Sequence, residues 1–197
     1  RRQRQMCIRD SLIIACTLVS LLCNAQAEWK NDFSKQGETL KTVGRGKCAV
    51  TDGVFRSVDA YSCFGNPEWK NYTMSFKARA PKDAEQVQIW AGFRAYNRFD
   101  RYVLGLKGGL QDDIYLMRLG YMGTDEFLGV RPLGFHPVPG EWYNIKVEVC
   151  GSRIRVFLNN EKEPRIDVTD KNGNLAPSGQ VTLGGGWIET ELSLIHI

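Results

Sequence analysis

The sequence predicts an all-β protein built as a two-sheet antiparallel sandwich. Short stretches in which apolar and polar residues alternate recur between turn signals, and no stretch keeps the period of a helix. Glycine accounts for 20 of the 197 residues, and several glycines stand where the alternation breaks. This pattern is typical of strands that bury one face against a second sheet and leave the other face in water.

The clearest element is a β-hairpin between Gly140 and Asn160. Apolar residues stand at every second position on both sides of Gly151-Ser152, which offers a tight turn. The alternation predicts two paired strands whose core-facing residues are Tyr143, Ile145, Val147 and Val149, followed by Ile154, Val156 and Leu158.

Further strands are predicted on both sides of the hairpin. Asp52-Gly53 is a turn that opens an early strand. The other predicted strands are Tyr72–Arg79, Val87–Tyr96, Arg101–Lys107, Asp113–Leu119, Arg165–Thr169 and Gln180–Leu183. In Val87–Tyr96, the alternation predicts that Val87, Ile89, Ala91, Phe93 and Ala95 face the core and that Gln88, Trp90, Gly92, Arg94 and Tyr96 face away.

Two phrases carry a resemblance to known proteins, GFRAYNRFDRYVLGLKGG with the following IYLMRLG, and the hairpin GEWYNIKVEVCGSRIRVFLNN. They resemble laminin-G-like and 3-keto-disaccharide-hydrolase-like domains of the concanavalin A-like lectin/glucanase superfamily, which occur in secreted bacterial glycoside hydrolases. The resemblance covers most of Gly53–Trp187 and implies a carbohydrate-associated jelly roll. Lectins, hydrolases and adhesion modules share this fold, so the resemblance does not choose among them.

The sequences at both ends of the chain are not typical of the predicted domain. Read back into codons, residues 1–11 resemble a translated sequencing adapter, and residues 192–197 resemble the same adapter on the opposite strand. We therefore expect a single domain over residues 28–191, cut short at its C-terminal end, with both adapter stretches outside the fold.

Residues 12–27 have the composition of a truncated signal peptide. An apolar run ends in Ala25-Gln26-Ala27, the small-x-small pattern of a cleavage site, and it is too short to span a membrane as a helix. The sequence therefore predicts a secreted or periplasmic protein, with a lipid anchor at Cys23 as the alternative.

The net charge of +4 comes mostly from the N-terminal adapter stretch, which holds four arginines against one aspartate. Without this net +3 the chain carries +1, so its basic character indicates no nucleic-acid or membrane-surface partner.

Three cysteines lie outside residues 1–27, namely Cys48, Cys63 and Cys150. An odd number in an exported chain permits at most one internal pair among them. The short, turn-rich segment between Cys48 and Cys63 favours that pair, and reduced thiols at all three positions are the alternative.

A carbohydrate site is predicted on the sheet face turned away from the core. Sugars bind where an aromatic ring covers their apolar face and nearby polar side chains take the hydroxyl groups. An ordinary solvated sheet with cross-strand packing pairs is the alternative. The candidate residues are Gln88, Trp90, Arg94, Tyr96, Arg101, Tyr115 and Arg118.

The sequence offers only weak candidates for catalysis or metal binding. The Glu-x-Asp-x-x-Glu type signature of the family 16 glucanases is absent, which leaves Asp125 and Glu126, and as neighbours on a strand they would point to opposite faces. The resemblance to laminin-G-like folds, which often carry calcium at loop ends, implies that Asp112 and Asp113 could contribute to a calcium site. Ca²⁺ takes six to eight oxygen ligands, so two adjacent carboxylates do not make a site, and a solvated turn is the favoured interpretation.

Three functional hypotheses follow. The first is a non-catalytic carbohydrate-binding or accessory module of an exported polysaccharide-degrading protein, with a polysaccharide or oligosaccharide as its partner. The second is a hydrolase of glycosidic bonds that resembles the 3-keto-disaccharide hydrolases and uses Asp125 or Glu126. The third is a structural module that packs against a downstream catalytic domain of the same chain.

Overall fold

The computed structural model describes residues 28–34, 40–97, 99–120, 123–172 and 176–197. These residues form thirteen strands and no α-helix, which confirms the all-β prediction. The strands are β1 Lys30–Asn31, β2 Thr42–Thr51, β3 Val54–Phe64, β4 Tyr72–Arg79, β5 Gln88–Ala95, β6 Arg101–Lys107, β7 Asp113–Leu119, β8 Glu126–Pro132, β9 Tyr143–Cys150, β10 Arg153–Leu158, β11 Ile166–Thr169, β12 Gln180–Gly184 and β13 Thr190–His196.

The strands follow one hydrogen-bonded path that folds back on itself at β3. The order is β11-β10-β9-β4-β13-β3-β12-β5-β6-β7-β8, with β2 paired to β3 and β1 paired to β13, and the pairs are antiparallel. The first part of β3 pairs with β13 around Phe55, and its last part pairs with β12 around Ser62. Asp59, between these parts, has a positive φ of 45°. β3 therefore contributes to both layers of the sandwich. We call the layer with β11, β10, β9, β4 and β13 sheet 1, and the layer with β12, β5, β6, β7 and β8 sheet 2.

The two sheets enclose one continuous core. Met74 and Val147 in sheet 1 and Ile89 and Leu104 in sheet 2 belong to the same buried cluster. Each fully buried aliphatic or aromatic side chain contributes about 1.5–3 kcal/mol to folding. At the open edges, Ile166 of β11 lies against Gly129 of β8, so the sandwich is nearly closed on the side opposite β3.

The alternation read from the sequence is confirmed in the hairpin and in β5. β9 and β10 pair in register, with Val149 opposite Ile154 and Ile145 opposite Leu158. The predicted inward-facing residues of both segments are buried, and none is more than 9% exposed. The buried sides of these strands therefore follow from patterns that the sequence displays directly.

The C-terminal residues differ from the expectation that they lie outside the fold. Thr190–His196 forms β13, which lies between β3 and β4 in sheet 1. Leu192 and Ile195 are fully buried in the core. A bulge at Leu194, where φ is +46°, brings both apolar residues to the inner face although they are three positions apart.

The expected bridge between Cys48 and Cys63 is not formed, because both thiols are free. Cys48 stands opposite Ser57 in the β2–β3 pair, whereas Cys63 lies farther along β3, where it is opposite Thr182. Burial raises the pKa of both thiols, although hydroxyl groups near Cys48 and cationic side chains near Cys63 oppose the shift.

The signal-peptide prediction and the N-terminal adapter prediction fall on residues 1–27, which lie outside the described residues. Within the described ranges, no helix has the length and apolar character needed to cross a bilayer.

Candidate functional site

The outward side of sheet 2 carries a cluster of aromatic side chains. Trp90 of β5 is opposite Gly105 of β6, which is opposite Tyr115 of β7, which in turn is opposite Val130 of β8. These four residues lie in one row that runs across the strands. We call this surface, together with the neighbouring Phe127, the front face.

Tyr115 is the centre of the front face. Its ring stands edge-on to Trp90 at a centroid distance of 6.5 Å and edge-on to Phe127 at 5.8 Å. The ring can lean across β6 because the residue there is a glycine: a Cβ on Gly105 would stand 2.0 Å from Tyr115 Cζ. Phe127 is 61% exposed, so the aromatic row reaches water at its β8 end.

Burial and the nearby Asp113 carboxylate raise the pKa of Tyr115 to about 12. The phenol is therefore protonated at neutral pH. Since Tyr115 is only 7% exposed, the front face contains it as a largely buried, neutral phenol.

Two cationic side chains flank the aromatic row. Lys107 lies 5.9 Å from the centre of the Tyr115 ring and pairs with Asp113, with 3.6 Å between Nζ and Oδ2. Arg101 stacks over Tyr61 at 4.3 Å from the ring centre, and its Nη1 donates a hydrogen bond to the Tyr61 hydroxyl at 3.0 Å. Both cations already have partners within the sheet.

The loop between β12 and β13 carries an exposed aromatic residue that was not among the predicted site residues. Trp187 is 75% exposed and follows three consecutive glycines, the first of which, Gly184, ends β12. Its backbone N–H donates to Gln88 Oε1 at 2.7 Å, so the loop is fixed to the strand that carries Trp90. A glycine run followed by a tryptophan is the sequence signal that could have identified it.

Of the predicted sugar-binding residues, the structure brings Gln88, Trp90, Arg101 and Tyr115 to the outward side of sheet 2. Tyr96 lies in the turn after β5 and is 65% exposed. The remaining two candidates, both arginines, lie elsewhere.

Arg94 is turned away from the front face by a β-bulge. The pairing of β12 with β5 shifts register between Gly92 and Ala95, and Arg94 has a φ of +46°. Its guanidinium donates to the carbonyl oxygens of Lys70 and Gly151, and only 3% of the residue is exposed. Arg94 therefore ties three segments of backbone together.

Arg118 points into the sandwich because it shares a face of β7 with the buried residues Ile114 and Leu116. Its guanidinium pairs with Asp170 on one side and with Glu126 on the other. The Tyr102 hydroxyl also donates to Asp170, at 2.8 Å. We call Tyr102, Arg118 and Asp170 the end cluster.

The end cluster stabilises the charged form of Asp170. Burial by itself would raise the pKa of this carboxyl, but hydrogen bonds from Arg118, from the Asn172 amide and from Tyr102 outweigh burial and hold the pKa below its ordinary value. Burial and the hydrogen bond to Asp170 raise the pKa of Tyr102, so its hydroxyl remains a proton donor.

The weak catalytic candidates are engaged in local contacts. Asp125 Oδ1 accepts a hydrogen bond from the Gly120 amide at 3.0 Å, and Glu126 pairs with Arg118. The weak metal candidates are engaged as well: Asp112 lies 3.0 Å from His136 Nδ1, and Asp113 faces Lys107. In the part of the chain that the structure describes, no three acidic, histidine or cysteine side chains cluster as metal ligands would.

The front face is poor in carboxylates. Among the outward-pointing side chains of β5 to β8, as far as they are described, Asp113 is the single carboxylate, and it is only 8% exposed. A glycosidase ordinarily needs two carboxyl groups, about 5 Å apart for retention and wider for inversion. The described part of the front face therefore offers aromatic rings, an amide and cations, with one carboxylate among them.

The chain is similar to known proteins in its structure, and the two sequence comparisons find no match. No family model matches the sequence, and no curated protein matches it.

Solved structures with the same fold are numerous. They include a carbohydrate-binding module, CBM66 from Bacillus subtilis, with a TM-score of 0.58 and 14% identity over 81% of this chain and 92% of the module. A prokaryotic β-1,3-1,4-glucanase (lichenase) from a mouse hindgut metagenome has a TM-score of 0.59 and 8% identity over 87% of this chain and 98% of the enzyme. A Bacillus subtilis protein of unknown function with a galectin-like fold has a TM-score of 0.59 and 11% identity over 85% of this chain and 93% of that protein.

These likenesses confirm the predicted fold, a concanavalin A-like jelly-roll sandwich. At such low identity they show the architecture and not the activity.

Proposed function

We propose that this domain binds a neutral glycan chain on the front face and does not hydrolyse it. The observation that carries the proposal is the row of Trp90, Tyr115 and Phe127 on a sheet face with a single, paired carboxylate. Similarity in fold to a carbohydrate-binding module supports the binding role.

The physical basis is the match between an aromatic surface and the apolar face of a sugar ring. Such a ring gains by covering the exposed face of Phe127 and the half-buried Trp90, because water is displaced from both surfaces. The Gln88 amide and the Lys107 ammonium stand on the same side of the sheet and can donate to hydroxyl groups at the edge of the ring.

The proposed role also predicts that the protein is located outside the cytoplasm. A glycan-binding module of a polysaccharide-degrading protein meets its ligand outside the cell, which agrees with the signal-peptide pattern in residues 12–27. The measurement that tests this part is the detection of the protein in the extracellular or periplasmic fraction of a cell that makes it with a complete leader.

The main test is the affinity of purified protein for soluble polysaccharides and for oligosaccharide series, measured by calorimetry. Phe127→Ala removes an exposed ring from the row and is expected to weaken binding about three- to tenfold, since an aromatic contact contributes about 0.5–1.5 kcal/mol beyond area burial. Phe99→Ala is the matched control, because Phe99 is also an exposed phenylalanine, at 47%, but lies in the turn between β5 and β6. Its affinity should equal that of the wild type.

Two results would contradict the proposal. Release of reducing sugar by the wild-type protein, lost in the Asp125→Ala/Glu126→Ala double variant, would establish the hydrolase instead. Failure of the wild type to bind any neutral glycan would favour the structural module, whose front face is covered by another domain.

A further inference from the structure

We propose that the outward side of sheet 1 carries a second binding site, which takes the carboxylate or sulfate group of an acidic sugar unit. The site is a depression of about 330 Å³ that we call the cationic cleft. It lies on the opposite side of the sandwich from the front face, so this inference does not depend on the proposed function. The polar lining of the cationic cleft consists of Ser75, Lys77, Asn144, Lys146, Asn160, Glu161 and His196.

Two neighbouring cross-strand rows form the floor of the cationic cleft. In one row, Lys146 of β9 stands between Phe157 of β10 and Ser75 of β4. In the next row, Lys77 of β4 stands opposite Asn144 of β9. Because Asn144 and Lys146 are two positions apart on one strand, the two lysines are diagonal neighbours on one face, about 7–8 Å apart. The cleft therefore places two ammonium groups beside an amide and a hydroxyl.

Lys77 is the cation that an incoming anion can contact directly. Its side chain is exposed, and no carboxylate among the described residues pairs with it. The acidic residues of the neighbouring strand and of the cleft have other partners: Glu148 pairs with Lys146 at 2.8 Å, and Glu161 pairs with Arg165. A ligand anion therefore reaches the Lys77 ammonium without first breaking an ion pair.

The whole outward side of sheet 1 carries an excess of positive charge. Its three carboxylates, Glu148, Asp167 and Glu191, are each already paired with one or two cationic side chains. Outside the N-terminal adapter stretch the entire chain carries only +1, so this excess is a property of one face. Such a face attracts anionic ligands. The described strands of sheet 1 present six cations there, namely Arg56, Lys77, Arg79, Lys146, Arg153 and Arg155.

The neutral groups of the cationic cleft suit a sugar unit better than a bare ion. Ser75, Asn144 and Asn160 supply a hydroxyl and two amides, which can donate to and accept from sugar hydroxyl groups. The volume lies at the lower end of the range for small-molecule sites, which fits a single unit.

Stacking contributes little in this cleft. The Phe157 ring is only 6% exposed and lies under Lys146, whose Nζ is 3.9 Å from the ring centre. In contrast to the aromatic row of the front face, the cationic cleft therefore selects its ligand by charge.

The test is calorimetry at low ionic strength with an oligogalacturonate, a sulfated oligogalactan and a neutral β-linked oligoglucoside of equal length. Lys77→Glu should weaken binding of the acidic chains about tenfold or more, because a like charge then faces the ligand. Lys77→Arg keeps the charge and should bind within about twofold of the wild type. Lys171→Glu is the matched control, since Lys171 is also exposed, lies after β11 outside the cleft, and gives the same net charge. Its affinity for acidic chains should stay close to that of the wild type.

The two acidic chains identify the source of the anionic group. A loss in Lys77→Glu seen with the oligogalacturonate supports a uronate, and a loss seen with the sulfated chain supports a sulfate ester. Equal weakening by Lys77→Glu and Lys171→Glu overturns the inference, because net charge and not the cleft would then drive binding. Displacement of the acidic chains by inorganic sulfate at the same concentration also overturns it, since the sugar would then add nothing. A wild type that binds neither acidic chain overturns it outright.

The two binding proposals fail separately. Phe127→Ala, which tests the front face, should leave affinity for the acidic chains unchanged, and Lys77→Glu should leave affinity for neutral glycans unchanged. A protein that binds acidic chains in the cationic cleft but no neutral glycan refutes the proposed function alone. Loss of acidic-chain binding in Phe127→Ala would place that ligand on the front face and overturn the second site.

Discussion

Asp170→Ala is expected to lower the free energy of unfolding by about 3–5 kcal/mol, the range seen when one partner of a buried ion pair is removed. The Asp170 side chain is 2% exposed and accepts hydrogen bonds from Arg118 and Tyr102. Without it, the Arg118 guanidinium, itself 4% exposed, keeps only the partly exposed Glu126, and a buried tyrosine hydroxyl loses its acceptor.

The measurement is chemical denaturation of wild type and variant, with Asp167→Ala as the matched control. Asp167 also pairs with an arginine, Arg153, and lies three positions away, but both side chains are largely exposed. Its replacement should change stability by less than about 1 kcal/mol. Equal effects of the two substitutions would show that the end cluster contributes no more than a surface pair.

The same carboxylate predicts how stability depends on pH. Its pKa is held below the ordinary value in the folded protein, so its contribution is fully present above the pKa of the unfolded chain, about 3.9, and is lost as the pH falls through the folded value. Wild type should therefore lose stability below about pH 4 more steeply than Asp170→Asn. Parallel curves for the two proteins would contradict the assignment.

Gly179→Ala is the second substitution with a large expected effect, a loss of about 2–5 kcal/mol from combined backbone strain and overpacking. A Cβ at this position would stand 2.4–2.5 Å from the backbone N, C and O atoms of Ala95, and the φ of Gly179 is +153°. Backbone atoms cannot swing aside as a side chain can, so β12 would have to move away from β5.

Gly53→Ala is the control that separates the two causes. Gly53 also has a positive φ, +71°, but a Cβ there would meet nothing within 4 Å. Its replacement should cost about 1 kcal/mol, from the backbone conformation alone. Thermal unfolding of the two variants gives the comparison, and similar melting temperatures would show that the contact with Ala95 can relax.

Most of the fold prediction came from the local alternation of apolar and polar residues. It correctly assigned the buried sides of β5, β9 and β10, because a two-residue period depends only on neighbouring residues. It gave no information on strand order, which depends on contacts between distant segments. The pattern also left β8 without a prediction. The adapter resemblance, in turn, placed Leu192 and Ile195 outside a core in which both are fully buried.

The structure places Trp90 and Tyr115 on one face, as the strand period predicts, and departs from the predicted placement of the two arginines. Arg94 follows the outward pattern in sequence, and only the bulge with its positive φ turns it inward. Arg118 is a different case: three positions separate it from Tyr115, so the strand period itself puts the two on opposite faces. The position of the Trp187 loop depends on a hydrogen bond to Gln88, a contact between distant segments that the sequence does not show.

The position of β13 has a consequence for how the chain reaches this structure. The strand that comes last in the sequence fills the gap between β3 and β4, which precede it by more than a hundred residues. Until it arrives, two strand edges with unpaired backbone groups and an uncovered apolar groove remain open during synthesis. Closing sheet 1 therefore requires contacts between distant segments, a feature that goes with slow folding, and the open edges are where an incomplete domain can pair with a strand from another molecule.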